Sequence, residues 1–334
     1  MHISKDFTGG NIEVVSISEH EVVLKNERRD SADDWFYWAF CVEGAEGKTV
    51  RFRFDQKNRI GHFGAAVSTD LIHWRWSEND QDESFTYTFG EAETRVYFAH
   101  DMLYHTSRLQ ALGFTLPRCT IGEGDRSIVL TARHHCCEAT GSYVLEGVLR
   151  ELSAHPLEGY QIFCVPFVDL DGVLHGDQGK GRIPHDHNRD YDETTPPLYP
   201  STAAIREYAL THNVRFAFDF HSPWHKGKQN DNCFIVRHAN APSENFDRFG
   251  TLFEQSITET AFTYRHANDF PADTDWNRSD SPTFARFMAI RPTCELAFTL
   301  ETAYFGKPDN VFSEDRAIEL GRCFARALRK YTET

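Results

Sequence analysis

The feature that most constrains this chain is a change of periodicity near residue 115. Before it, apolar and aromatic residues recur in short runs at 11–17, 20–26, 35–42, 49–55, 71–76, 85–89 and 94–100, separated by turn-forming residues. In Thr49-Val50-Arg51-Phe52-Arg53-Phe54 the alternation is strict, the pattern of a strand that buries one face. Short strands joined by turns predict a β-sandwich, and residues 101–113 read as a helical connector. Beyond Pro117 the element types alternate. Residues 127–131, 161–168, 214–220 and 294–300 are expected strands, whereas 140–152, 201–211, 243–260 and 313–331 carry helical spacing. Val144, Leu145, Val148, Leu149 and Leu152, for example, fall on one helical face. The expectation is an amino-terminal β-sandwich domain over residues 1–115 and an α/β layered domain over 116–334.

Composition narrows the function classes. The chain has 334 residues, of which 40% are hydrophobic and 25% charged, a globular composition with material for a large core. Its net charge of −15 argues against nucleic acid, since phosphate-backbone binding needs clustered cations. The chain lacks a run of about 18 apolar residues, and Met1-His2-Ile3-Ser4-Lys5-Asp6 does not resemble a secretory leader. A cytoplasmic protein without a membrane partner is expected, its oligomeric state open. The eight cysteines are scattered, several within apolar runs, and read as reduced buried thiols.

Chemistry concentrates where the expected strand 127–131 ends, in Arg133-His134-His135-Cys136-Cys137-Glu138. An imidazole and a carboxylate spaced as His135-x-x-Glu138 suit a borderline cation such as zinc, and catalytic zinc sites pair two His with one Glu. Phe218-Asp219-Phe220-His221 offers a second His at another strand end, the edge of a layered sheet where sites form. Each His taken alone also reads as a polar strand end, and the Cys136-Cys137 pair is an alternative soft ligand set. A ligand His needs an acceptor for its other ring nitrogen, and Asp186 and Asp219 are candidates. Asn188-Arg189 follows the Gly-rich stretch 172–181; the planar guanidinium beside an amide matches a carboxylate, although a salt-bridged turn is the plainer reading.

Taken in order, Ala-Arg-x-His-x-x-Glu at 132–138, Asp169-x-Asp171-Gly172-Val173, Asp186-x-Asn188-Arg189, Asp219-x-His221 and Thr299-Leu300-Glu301 with Gly306 resemble the zinc metallocarboxypeptidase family, in its cytosolic-carboxypeptidase-like branch. The likeness spans about residues 118–310. The run Trp35 to Phe40, the run Val50 to Phe54, and Val96 to Ala99 followed by Tyr104 are similar to that branch's amino-terminal β-sandwich. The resemblance implies a carboxypeptidase-like mixed sheet flanked by helices. It further implies one Zn²⁺ per chain on His135, Glu138 and His221, with Asp186 oriented behind a ligand His. Asn188 and Arg189 would clamp the substrate's terminal carboxylate, and Glu301 would act as general base for the attacking water. Glu295 competes for that role, but Thr-Leu-Glu followed by Gly306 fits the family pattern better. The oxyanion cation falls to Lys180 or Arg182, neither at the usual position. Arg286 lies near where the family lines its specificity pocket, and there it would favour an acidic side chain; a strand-borne, solvent-facing Arg is the plain alternative.

The chain departs from the family in three places. Cys136-Cys137 replaces the usual Pro-Gly, and no Tyr occurs between His266 and Ala303. The interval from Glu138 to His221, 221 − 138 = 83 residues, is shorter than in the pancreatic members. The implied activity is zinc-dependent removal of the carboxy-terminal residue of a peptide or peptide-like substrate. A deacylase or amidase acting on N-acyl amino acids is the nearest rival. A noncatalytic binding protein with a vestigial zinc site is a rival of another class.

Overall fold

The computed structural model describes residues 1–77 and 83–333. The first half supplies β1 (His2–Ser4), β2 (Glu13–Ile17), β3 (Glu21–Lys25), β4 (Ala39–Glu43), β5 (Thr49–Phe54), β6 (Ala66–Ser68), β7 (Arg75–Trp76), β8 (Ser84–Thr88) and β9 (Arg95–Ala99). Among the described residues these form two sheets, ordered β1-β4-β9-β6-β7 and β2-β3-β5-β8. Period-2 alternation decides what each strand buries. β5 turns Val50, Phe52 and Phe54 inward and leaves Thr49 and Arg51 exposed. Its rings meet Phe40, Val42, Val96 and Phe98 of the other sheet in a sandwich core. The five-stranded sheet is also covered on its second face, where Ala39, Cys41, Ala66, Tyr97 and Ala99 join the main core of the following half.

That half supplies α1 (Thr106–Ala111), β10 (Cys119–Ile121), β11 (Arg126–Ala132), α2 (Thr140–Ala154), β12 (Tyr160–Val165), α3 (Leu170–His175), α4 (Pro200–Thr211), β13 (Val214–His221), β14 (Cys233–Val236), α5 (Ser243–Ser256), α6 (Phe284–Ala289), β15 (Leu296–Thr302), the short pair β16 (Gly306–Lys307) and β17 (Asn310–Val311), and α7 (Glu314–Thr332). The sheet order is β10-β12-β11-β13-β15-β14, mixed as expected: β12, β11, β13 and β15 run parallel, and each outer strand is antiparallel to its neighbour. Parity splits the layers. Phe216, Phe218 and Phe220 of β13 face the core shared with α2, α5 and α7, while Ala217 and Ala297 face a smaller core under α4 and α6. Asp219 and His221 share parity with Ala217, so they emerge on the α4/α6 face at the carboxyl end of the strand.

Local hydrogen bonding accounts for the differences from the sequence reading. The run 35–42 pairs only from Ala39, because side-chain amides take the earlier groups: Asn26 Nδ2 donates to the carbonyls of Trp35 and Tyr37, and Gln178 Oε1 accepts from Tyr37 N. The expected strand 71–76 is cut to Arg75–Trp76, since the Asp70 carboxylate accepts from the amides of Ile72 and His73 and folds the chain into a turn. Strand 161–168 stops at Val165, before Pro166. The Gly-rich stretch 172–181 begins inside a helix, α3, capped by the Asp169 side chain and ended by Gly176 at φ 74°.

Candidate active site

β11 ends at Ala132, and Arg133 adopts φ 61°, a left-handed conformation that a non-glycine residue holds only under constraint. Its buried guanidinium supplies the constraint, with Nε donating to the Cys136 carbonyl at 2.8 Å and Nη1 to the Tyr104 carbonyl at 3.3 Å. The turn so formed carries His135 and Glu138 to the end of β13. There His135 Nδ1 lies 2.9 Å from Glu138 Oε1, and His221 Nδ1 lies 2.7 Å from Glu138 Oε2. One donor atom from each of the three comes within 4.8 Å of the others, and all three residues are buried. Neither Cys136 nor Cys137 joins the cluster: Cys136 Sγ donates to the Asp177 carbonyl and Cys137 Sγ lies against the Tyr304 hydroxyl.

The outward ring nitrogens meet carboxylates. His221 Nε2 is 2.6 Å from Asp219 Oδ2, and His135 Nε2 is 3.6 Å from Asp186 Oδ1. Asp219 is fixed in turn by the Thr131 hydroxyl at 2.8 Å and by His134 Nδ1 at 2.9 Å, while His134 Nε2 meets the Tyr191 hydroxyl at 2.7 Å. Burial tends to discharge His221, but Asp219 and Glu138 outweigh it and raise its pKa well above the usual histidine range. Burial likewise raises Glu138, and Lys180, His135 and His221 together hold it well below the ordinary carboxylate value. Two imidazoles, each with a carboxylate at its outer nitrogen, and a carboxylate between them are a donor set that suits a divalent cation.

Glu301 stands beside His221 because β13 and β15 register the two as direct partners. Burial, more than its neighbours, pushes the Glu301 carboxyl up to about 7, and its Oε2 is buried without a hydrogen-bond partner. Glu295 stands elsewhere: it precedes β15 and pairs with Arg215 at 2.8 Å. His135, His221, Glu301, Lys180, Asn188, Arg189 and Arg286 all line one pocket. Asn188 is set there by its backbone N–H, which donates to Asp186 Oδ1, and by its side-chain Oδ1, which accepts from Phe284 N. Arg286 lies on helix α6, not on a strand, and its Nε is buried and unpaired. Of the two loop cations, Lys180 reaches the site, its ammonium 2.8 Å from Glu138 Oε1 and 4.9 Å from the centre of the Trp35 ring. Arg182 does not; Asp30 at 2.6 Å, Asp169 at 2.7 Å and Asp177 at 3.4 Å hold it beneath the loop. Sequence reasoning passed over His134, Tyr191 and Trp35. The first was visible as a second His in the motif, whereas the others come from segments distant in sequence.

Residues 3–100 match the family model described as the cytosolic carboxypeptidase N-terminal domain. The chain is 25% identical over 394 residues to cytosolic carboxypeptidase 6 of Caenorhabditis elegans, covering 97% of this chain and 85% of that protein. A Pseudomonas aeruginosa metallo-carboxypeptidase, solved in complex with (2-guanidinoethylmercapto)succinic acid, superposes with a TM-score of 0.81 at 19% identity, over 100% of this chain and 99% of that one. A Burkholderia cenocepacia metallo-carboxypeptidase gives 0.79 at 17% identity, with 99% of each chain covered. The fold is therefore that of the metallo-carboxypeptidases, and over residues 3–100 the chain carries the cytosolic carboxypeptidase N-terminal domain.

Proposed function

We propose that this chain is a cytoplasmic zinc carboxypeptidase that hydrolyses the last residue of a peptide. The observation that carries the reading is a single pocket lined by His135, His221, Glu301, Asn188 and Arg189, with Glu138 held against both histidines and the Glu301 Oε2 unpaired. The donor set selects zinc among common cations. When bound, zinc supplies Lewis acidity, polarising the scissile carbonyl and acidifying water. Glu301 takes the proton of the attacking water and passes it to the leaving amine, a transfer that its unpaired oxygen beside His221 leaves it free to make. Arg189 and Asn188 hold the terminal carboxylate, and Lys180 faces the developing oxyanion. Arg286, with an unpaired Nε on the pocket wall, selects an acidic terminal side chain. The compound bound in the Pseudomonas aeruginosa relative has a succinic acid moiety, whose carboxylates are the groups such an arrangement grips. Cytoplasmic placement rests on the matched amino-terminal domain. Among the described residues no helix is long and apolar enough to cross a membrane.

The test is zinc-loaded protein incubated with peptides varied at the last residue, with products read by mass spectrometry and metal by elemental analysis. About one zinc per chain and loss of single terminal residues, acidic ones fastest, are expected. Cleavage of N-acyl amino acids with peptides untouched would instead make the chain an amidase. Zinc binding without any hydrolysis would make it a binding protein.

A further inference from the structure

Cys119 and Cys164 lie directly opposite each other where β10 pairs antiparallel with β12. Opposed residues in such a ladder have Cα atoms about 4.5–5.5 Å apart, inside the range of about 4.4–6.8 Å that a disulfide spans. We propose that Cys119 and Cys164 form a reversible modification site, closing to a cross-strand disulfide when the protein meets a peroxide.

Position and reactivity single out this pair. β10 is a three-residue edge strand, the kind of element that opens locally at low cost. Cys119 on it is 7% exposed, whereas Cys164 beneath is fully buried. The neighbouring Cys164 thiol lowers the Cys119 pKa, favouring the nucleophilic thiolate. Burial pushes the other seven thiols the opposite way, Cys136 and Cys137 included. The Cys119 thiol loses its proton, the thiolate attacks one peroxide oxygen, the O–O bond breaks, and a sulfenic acid forms as the departing hydroxide takes up that proton and leaves as water. Cys164 sulfur then attacks the Cys119 sulfur; the S–S bond forms, the S–O bond breaks and a second water leaves. Two thiols are oxidised and one hydrogen peroxide is reduced to two waters. The closed loop, residues 119–164, contains His135 and Glu138, so the link ties down the segment that bears both.

The experiment treats the intact protein with hydrogen peroxide, blocks free thiols and digests with trypsin without reductant. The expected product joins the peptides 119–126 and 151–180, disappears with dithiothreitol, and accompanies a Tm higher by about 5 °C or more. In Cys164→Ser the link is lost and Cys119 is trapped as a dimedone adduct. Peroxide-treated protein in which these peptides stay separate, or in which another cysteine pair links first, overturns the proposal without bearing on the peptidase reading.

Discussion

His135 and His221 each present one ring nitrogen to Glu138 because a carboxylate holds the other: Asp186 for the first, Asp219 for the second. The same economy of partners separates the two glutamates of β15 and its approach. Glu295 is neutralised by Arg215, whereas Glu301 keeps a buried oxygen unpaired, a costly state for a group without work to do. Glu301→Gln preserves size and polarity but cannot accept a proton. Zinc content should therefore hold while kcat falls about 10² or more, and Glu295→Gln should leave turnover near the parent value. The reverse pattern in steady-state assays would exchange their roles. Arg189 carries a second prediction. A Lys in its place lacks the planar fork, so Arg189→Lys and amidation of the substrate terminus should each depress kcat/KM strongly with zinc retained. Combined, they should cost little more than either alone, because both remove one contact. Equal cleavage of free and amidated peptides by the parent would exclude a carboxylate clamp.

At the level of elements, the site depends on how closely helices approach the sheet and each other. A Cβ on Gly141, in the first turn of α2, would lie 2.5 Å from the Phe220 carbonyl, so glycine lets α2 start against the end of β13 and keeps Glu138 beside His221. Farther along, α2 and α7 cross at Gly147 and Gly321, where an added Cβ would meet the carbonyls of Ile318 and Val144 at 1.9 Å. Alanine favours a helix over glycine by about 1 kcal/mol. Overlap with backbone cannot be relieved by a rotamer change, and overpacking of this kind costs about 1–3 kcal/mol, so the clash should win. Gly321→Ala is expected to lower Tm by several degrees in calorimetry, with activity per folded molecule little changed. An unchanged or higher Tm would mean that the helices separate freely.

Across the whole molecule, the amino-terminal sheets and the α/β layer are fastened at the loop that bears Lys180. Asp30 accepts from the amides of Gln178 and Gly179 and from Arg182 Nε, Gln178 Nε2 donates to the carbonyls of Glu27 and Tyr37, and Asn11 donates to the Gly176 carbonyl. Trp76 Nε1 reaches the Phe312 carbonyl on another side of the same junction. Asp30→Ala leaves two backbone amides and the Arg182 Nε without their acceptor, while Asp169 and Asp177 still hold the guanidinium, a loss of roughly 2–3 kcal/mol. The loop and Lys180 should loosen together, and kcat/KM should drop about tenfold while the zinc content stays at the parent level. Unaltered kinetics would show that the amino-terminal sheets only stabilise the fold.

The sequence by itself determined what local pattern can encode. Period-2 runs located the sandwich strands and helical spacing located α2, α4 and α7, because backbone periodicity is a short-range property, and the ordered motifs from His135 to Glu301 resemble a metallocarboxypeptidase plan. Tertiary structure decided the rest. Both Lys180 and Arg182 were equal loop cations on paper, and only packing against Trp35 on one side and Asp30 and Asp169 on the other separates them. Arg286 read either as a pocket cation or as a solvent-facing strand residue, and the Thr283 side chain accepting from its amide opens a short helix that carries it on the pocket wall. A β-sandwich alone covers one face of each sheet, and the second layer seated on β1-β4-β9-β6-β7 makes that sheet core on both faces. In each case the deciding partner lies far away in the chain, and contacts between distant segments are the part of the free energy that no window of sequence contains.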